Sequence, residues 1–141
     1  MIIHYDDNGP RCGKGKEVTS KKSAVTCASC RKMMKKRVNY MAQADRLFAQ
    51  RIKERDGACV RCGSVEFLQC AHILSRSYKA IRTDERNAVA LCRSCHVYFT
   101  HRPLEWEQWV RESYGTLWDE LREKALTYEK VDWKAEVVRL S

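Results

Sequence analysis

The sequence predicts an α+β fold, and three observations carry that prediction. Two Cys-x-x-Cys pairs, Cys59/Cys62 and Cys92/Cys95, stand 29 residues apart. Between them lie two short β-prone runs, Glu66 to Ile73 and Asn87 to Leu91. Ahead of them, Lys32 to Arg55 contains no Gly or Pro and repeats apolar residues at helical spacing. Cysteines spaced in this way suit one tetrahedral Zn²⁺ that pins the two ends of a hairpin-and-helix unit.

At 141 residues the chain has room for one modest domain with appendages. It contains no apolar run of membrane-spanning length, and Met1 to Asp7 reads as neither a signal nor a transit peptide. A cytoplasmic protein with no membrane partner is therefore expected. In that reducing setting eight cysteines are expected as metal ligands, not disulfides, and all but Cys70 occupy positions that suit a metal. The formal charge of +9 falls to roughly +6 once zinc-bound thiolates are counted. The charge is uneven: residues 11–37 hold ten Lys/Arg against Glu17 alone, whereas 104–141 hold nine acids against six bases. A polyanion is expected to dock on the front half.

Residues 1–31 read as a small zinc module with His4, Cys12, Cys27 and Cys30 as ligands, because a segment this short cannot fold on apolar burial alone. Residues 32–56 read as one basic linker helix ending at Asp56-Gly57. Its inward stripe is Met34, Val38, Met41, Ala42, Ala49 and Ile52, and Lys32, Lys35, Lys36 and Arg37 are placed for phosphate contact.

Residues 57–102 form the expected core. A knuckle turn at Cys59 to Gly63 leads into a strand that ends at His72, and Cys70 on that strand reads as a small buried hydrophobe. A polar, basic segment over 74–86 is too long for a tight turn. A second strand starts at Asn87, and a helix begins near Cys92/Cys95 and runs through His96, Val97 and Phe99. Fourteen residues separate His72 from Asn87 and eight separate Asn87 from His96.

On these residues the chain resembles the HNH nucleases, whose zinc-stapled ββα-metal core cuts nucleic acid with a single catalytic ion. Hydrolysing a phosphodiester needs a base for the attacking water and an ion to neutralise charge on the phosphate and the leaving oxygen. His72 titrates in the right range to be the base. His96, held rigidly beside a knuckle, is the expected ligand of a catalytic Mg²⁺ or Mn²⁺. Asn87 either holds the strand-loop geometry that aims His72 or lends an oxygen to the ion. The resemblance implies 5′-phosphate and 3′-hydroxyl products.

Many HNH nucleases place an ion ligand just before the base, where this chain has Ala71. A small residue there is similar to the phage recombination endonucleases of the NinG type, a likeness that covers about residues 48–121 and includes Arg55-Asp56, Arg82 and Glu85-Arg86-Asn87. That family tends to carry Asn where this chain has His96. The ligand missing at Ala71 is expected from Asn87 first, then Asp84, Glu85, His101 or water. Arg82 and Arg86 either grip the phosphate or form an ion-pair group with Asp84 and Glu85, while Arg76 and Lys79 track the DNA backbone.

Residues 103–141 read as helices. Pro103 opens the first, Tyr114-Gly115 stops it, and Thr116-x-x-Asp119 resembles a capping box for the second, with Leu117, Trp118, Leu121 and Leu126 inward. Asp132 starts a third, with Trp133, Val137 and Leu140 along one stripe. The tryptophans are expected either to pack these helices on the core or to form a homodimer face. The resulting expectation is a DNA endonuclease with two structural zinc sites and one catalytic ion. A non-catalytic zinc DNA-binding protein and an RNA-directed nuclease are the alternatives.

Overall fold

The computed structural model describes the backbone of residues 3–5 and 17–19 and all of residues 38–141. The chain divides into two units, Met1–Val38 and Asn39–Ser141. In the first, β1 (Ile3–Tyr5) pairs in parallel with β2 (Glu17–Thr19), His4 standing opposite Val18. The expected ligand atoms of His4, Cys12, Cys27 and Cys30, and the side chains of Lys32, Lys35, Lys36 and Arg37, lie outside the described residues.

The second unit begins with α1 (Tyr40–Asp56), which corrects the expected helix from Lys32. Val38 and Asn39 are not helical, and the Asn39 side chain caps the new start by accepting the Ala42 N–H at 3.0 Å. The inward stripe also differs. Ala44, Phe48 and Ile52, spaced by four, are buried, whereas Val38 is 60% exposed. Of the expected stripe residues that the structure describes, Ile52 alone is fully covered, because the helix turns its Ala44–Phe48 face to the rest of the unit. Covering Phe48 and Ile52 contributes about 1.5–3 kcal/mol each.

β3 (Leu68–His72) and β4 (Ala88–Cys92) pair antiparallel, with His72 opposite Ala88 and Leu68 opposite Cys92. Two single-turn 3₁₀ segments, Lys79–Ile81 and Glu85–Asn87, shape the connection. β4 reads Ala-Val-Ala-Leu-Cys, an unbroken small and apolar run, because it is buried on both faces. Val89 and Leu91 join one core with Phe99, Val110 and Leu121; Ala88 joins another with Phe48, Ile52, Val137 and Leu140.

The outer edge of β4 is covered by side chains and by the first knuckle. Asp56 Oδ2 accepts the Ala90 N–H at 2.7 Å, and Val60 donates to Ala90 O at 3.0 Å. Arg55 donates to Ala88 O at 2.8 Å and to Glu85 O at 2.6 Å. The last turn of α1 thus satisfies backbone groups that an edge strand would otherwise leave open.

Four helices follow: α2 (Arg93–Thr100), α3 (Pro103–Tyr114), α4 (Leu117–Ala125) and α5 (Trp133–Leu140). Trp106 and Trp109 stack on each other at 5.4 Å and pack on Phe99, so these tryptophans fasten α3 to the core. The expected capping box at Thr116 does not form. Thr116 Oγ1 donates to Glu120 Oε1 at 2.7 Å, and Asp119 is held by Arg111 at 2.7 Å. Leu126 is 52% exposed, its inward place taken by Ala125. Asp132 does cap α5, accepting from the Lys134 and Ala135 N–H groups. No described helix is long and apolar enough to cross a membrane.

Candidate active site and metal centre

The two knuckles meet. The Sγ atoms of Cys59, Cys62, Cys92 and Cys95 all lie within 4.8 Å of one another. The first knuckle is a tight turn closed by Gly63 N–H to Cys59 O at 2.8 Å, with Gly63 at φ +78°, a conformation glycine adopts without strain. The second joins the end of β4 to the first turns of α2.

Burial would push the Cys59 thiol up, but backbone N–H groups of Cys92, Cys62 and Arg61 outweigh it and bring the thiol down to about 6. Burial, with the neighbouring sulfurs, pushes Cys95 up to about 12. Four thiols this close cannot all ionise unaided, and a bound dication removes that conflict. The donor set and its closeness fit a zinc ion held by all four sulfurs. Arg61 lies over the Tyr98 ring at 4.2 Å and donates to Cys95 Sγ at 3.7 Å, an interaction the sequence reading did not anticipate.

His72 and His96 line a common cleft of about 190 Å³, walled by Ala71, Phe99, Thr100 and Trp106. His72 ends β3, and its Nε2 lies 3.0 Å from Arg82 O. A carbonyl only accepts, so Nε2 carries the proton and Nδ1 is left with its lone pair. Burial holds the His72 pKa below the ordinary histidine value, and the ring rests 5.5 Å from Phe48. His96 has the opposite arrangement. Its Nδ1 donates to Gln69 Oε1 at 2.7 Å, leaving the Nε2 lone pair free, and burial lowers its pKa as well.

Asn87 is fully buried behind the cleft. Its Oδ1 accepts the Leu74 N–H at 2.8 Å, and its Nδ2 donates to Leu74 O at 3.0 Å and Ile81 O at 3.1 Å. Of the two roles expected for it, these bonds describe the holding of the loop. As an ion ligand Asn87 is corrected, because its oxygen is engaged and enclosed.

Arg82 is likewise turned away from a phosphate: its fork closes on Asp45 at 2.7 and 2.6 Å, and Nη1 donates to Arg76 O at 2.9 Å. Arg86 pairs with Asp84 at 3.3 Å and Glu120 at 3.4 Å and lines a separate depression with Asp84 and Glu85. Lys124 also holds Asp84, at 2.8 Å, and Arg51 holds Glu85, at 3.1 Å. None of these four residues, nor the exposed His101, lines the cleft. Arg76 and Lys79 are exposed and make no ion pair with the described residues. Cys70 is partly buried, its thiol pushed up to about 11 by that burial.

For a catalytic ion the cleft offers His96 Nε2 and the Thr100 hydroxyl one helical turn later, and no carboxylate. So sparse a set fits a hard divalent ion that keeps several waters, and does not fit a cage made wholly of protein. The sequence reading missed Thr100, although its i+4 position relative to His96 could have pointed to it. Gln69 had no such signal, since its partner lies 27 residues away.

A β-hairpin and a helix thus bring four cysteines together where a zinc could bind, and two histidines line one cleft beside them. Residues 59–102, about a third of the chain, match the family model described as HNH endonuclease. The match supports HNH membership for this segment and points to a nuclease that acts on nucleic acid. No curated protein and no solved structure matches the chain.

Proposed function

We propose that the protein is a metal-dependent DNA endonuclease that hydrolyses phosphodiester bonds, with His72 as general base. The observation that carries this reading is that His72 and His96 line one cleft, each with one ring nitrogen engaged, Nε2 of His72 on Arg82 O and Nδ1 of His96 on Gln69 Oε1, and the other left with its lone pair. With its pKa depressed by burial, His72 is neutral at pH 7 and able to accept a proton. Its Nδ1 takes the proton of a water as that water's oxygen bonds to phosphorus and the bond to the 3′ oxygen breaks; the departing 3′ oxygen takes a proton from solvent water, leaving 5′-phosphate and 3′-hydroxyl ends.

His96, with Thr100 beside it, would hold a divalent ion that neutralises charge on the phosphate and the leaving oxygen. Arg76 and Lys79, exposed on the loop that follows His72, take over the phosphate-binding role expected of Arg82 and Arg86. Within the family, Ala71 before the base favours a phage enzyme of the NinG type acting in DNA recombination or processing. A second zinc on His4, Cys12, Cys27 and Cys30 and a homodimer through residues 103–141 belong to the same proposal. Native mass spectrometry and sedimentation test them.

The central test incubates the purified chain with linear, nicked, branched and single-stranded DNA, and with RNA, in Mg²⁺ or Mn²⁺. His72→Ala should lower cleavage by about 10²–10⁴-fold. His96→Ala should raise the ion concentration needed for half-maximal rate. Wild-type rates in the His72 variant would sink the assignment, while chelator-sensitive binding without cleavage would favour the non-catalytic reading.

A further inference from the structure

We propose that Asp45 is a positioning residue for His72, acting through Arg82 to fix the tautomer and placement of the imidazole; this rests on the reading of His72 as the base. Arg82 makes two connections at once. Its carbonyl takes the His72 Nε2–H at 3.0 Å, and its guanidinium is gripped by both Asp45 oxygens at 2.7 and 2.6 Å. A carbonyl on a loop holds a ring in place only if the loop is itself held.

Asn87 and helix α5 hold Ile81 and Thr83 on either side of Arg82, and three contacts fix the Arg82 side chain itself: the forked pair to Asp45, the Nη1–H donated to Arg76 O at 2.9 Å across the loop, and the Trp133 ring 6.0 Å from the guanidinium. The pair is well shielded, with 13% exposure for the Arg82 side chain and 24% for Asp45. Two parallel charge-assisted bonds set direction as well as distance. Asp45 also stands one helical turn before Phe48, whose ring lies 5.5 Å from that of His72. Helix α1 therefore braces the imidazole twice, by an aromatic face and by a carboxylate relayed through Arg82.

The charges that act on His72 are Asp45 from α1 and Arg76 and Arg82 from the loop, and from α2 the neighbouring group in the cleft is His96. Asp45 favours the protonated ring, and both arginines oppose it. Hydrogen bonds from Arg82 keep the Asp45 carboxyl below the usual carboxylate range, so it stays ionised at neutral pH. Neutralising Asp45 should therefore loosen the ring and lower the His72 pKa further. A residue that only stabilised the fold would leave both unchanged.

The test uses the full zinc-loaded chain, ¹⁵N-labelled, as wild type, Asp45→Asn and Asp45→Glu. Long-range ¹H–¹⁵N spectra across a pH series read the tautomer and pKa of His72 directly. The wild type should show the Nε2–H form. Asp45→Asn should show a tautomer mixture, a lower pKa and cleavage reduced about tenfold or more, with KM little changed. Asp45→Glu should recover part of the rate. Should Asp45→Asn not fold, Arg82→Lys keeps the carbonyl and the charge but loses the fork, and the same tautomer mixture is expected. A folded variant with the wild-type tautomer and pKa overturns the proposal. A wild-type protein that cuts no nucleic acid sinks the nuclease reading instead, and the His72 spectra still decide the role of Asp45.

Discussion

The cysteine centre and the histidine cleft sit at opposite ends of the same two strands and are built on opposite plans. At the Cys92 end, four like donors crowd within 4.8 Å, drawn from two knuckles. At the His72 end, the cleft is lined by His72, His96 and Thr100, and no carboxylate joins them. A structural metal site is complete in its own ligands, whereas a catalytic one keeps positions open for water and substrate. The hairpin thus carries a crowded set of like donors at one end and an open, mixed lining at the other, and helix α2 connects them through Cys95 and His96.

The largest effect that would break this contrast is loss of the closed centre. Cys92→Ser should cost the chain one zinc by native mass spectrometry and abolish cooperative unfolding by circular dichroism, because metal binding supplies folding free energy on the order of 10 kcal/mol. Retention of both the zinc count and the melting transition would mean that the cluster is not a metal site. Smaller, and confined to the open end, is Asn87→Ala. It strands the Leu74 N–H and two carbonyls that Asn87 now satisfies, so chemical denaturation should show a loss of about 1–3 kcal/mol. Smallest of all is Arg86→Ala, on a different depression from the cleft. Arg86 is itself exposed, and the shielded Asp84 keeps Lys124 as a partner, so stability should move by less than about 1 kcal/mol and cleavage by less than about twofold. A tenfold loss of cleavage would restore Arg86 to the phosphate.

What was legible in the sequence was whatever repeats at short, fixed spacing. The two Cys-x-x-Cys pairs, the strand that ends at His72, and the stops at Gly57 and Gly115 are local patterns with local causes. The histidines' convergence followed from the knuckles, since fixing Cys92 and Cys95 also fixes the next residue. The partners were not legible. Arg82 with its two neighbours Asp84-Glu85 reads as a loop ion-pair group, yet its fork closes on Asp45, 37 residues earlier.

Asn87 offered two chemically equal roles, and only its complete enclosure decides between them. The stripe along α1 was misplaced for a related reason. Helical spacing allows several faces, and the one used is selected by Ala88, Val137 and Leu140, all distant in the chain. At Thr116 a local signal failed outright, because Glu120 and Arg111 compete for the groups a capping box needs.

Helix α5 closes over α1 through Val137 and Leu140, while Arg139 donates to Thr83 O at 3.0 Å and Glu136 accepts the Thr83 hydroxyl at 2.6 Å. Thr83 directly follows the residue whose carbonyl holds His72. During synthesis, then, Phe48 and Ile52 lack the Val137 and Leu140 part of their cover until α5 has left the ribosome, and the segment around Thr83 gains its Glu136 and Arg139 anchors at the same stage. A nascent chain would carry His72, Asn87 and His96 well before the segment that holds His72 is fully anchored.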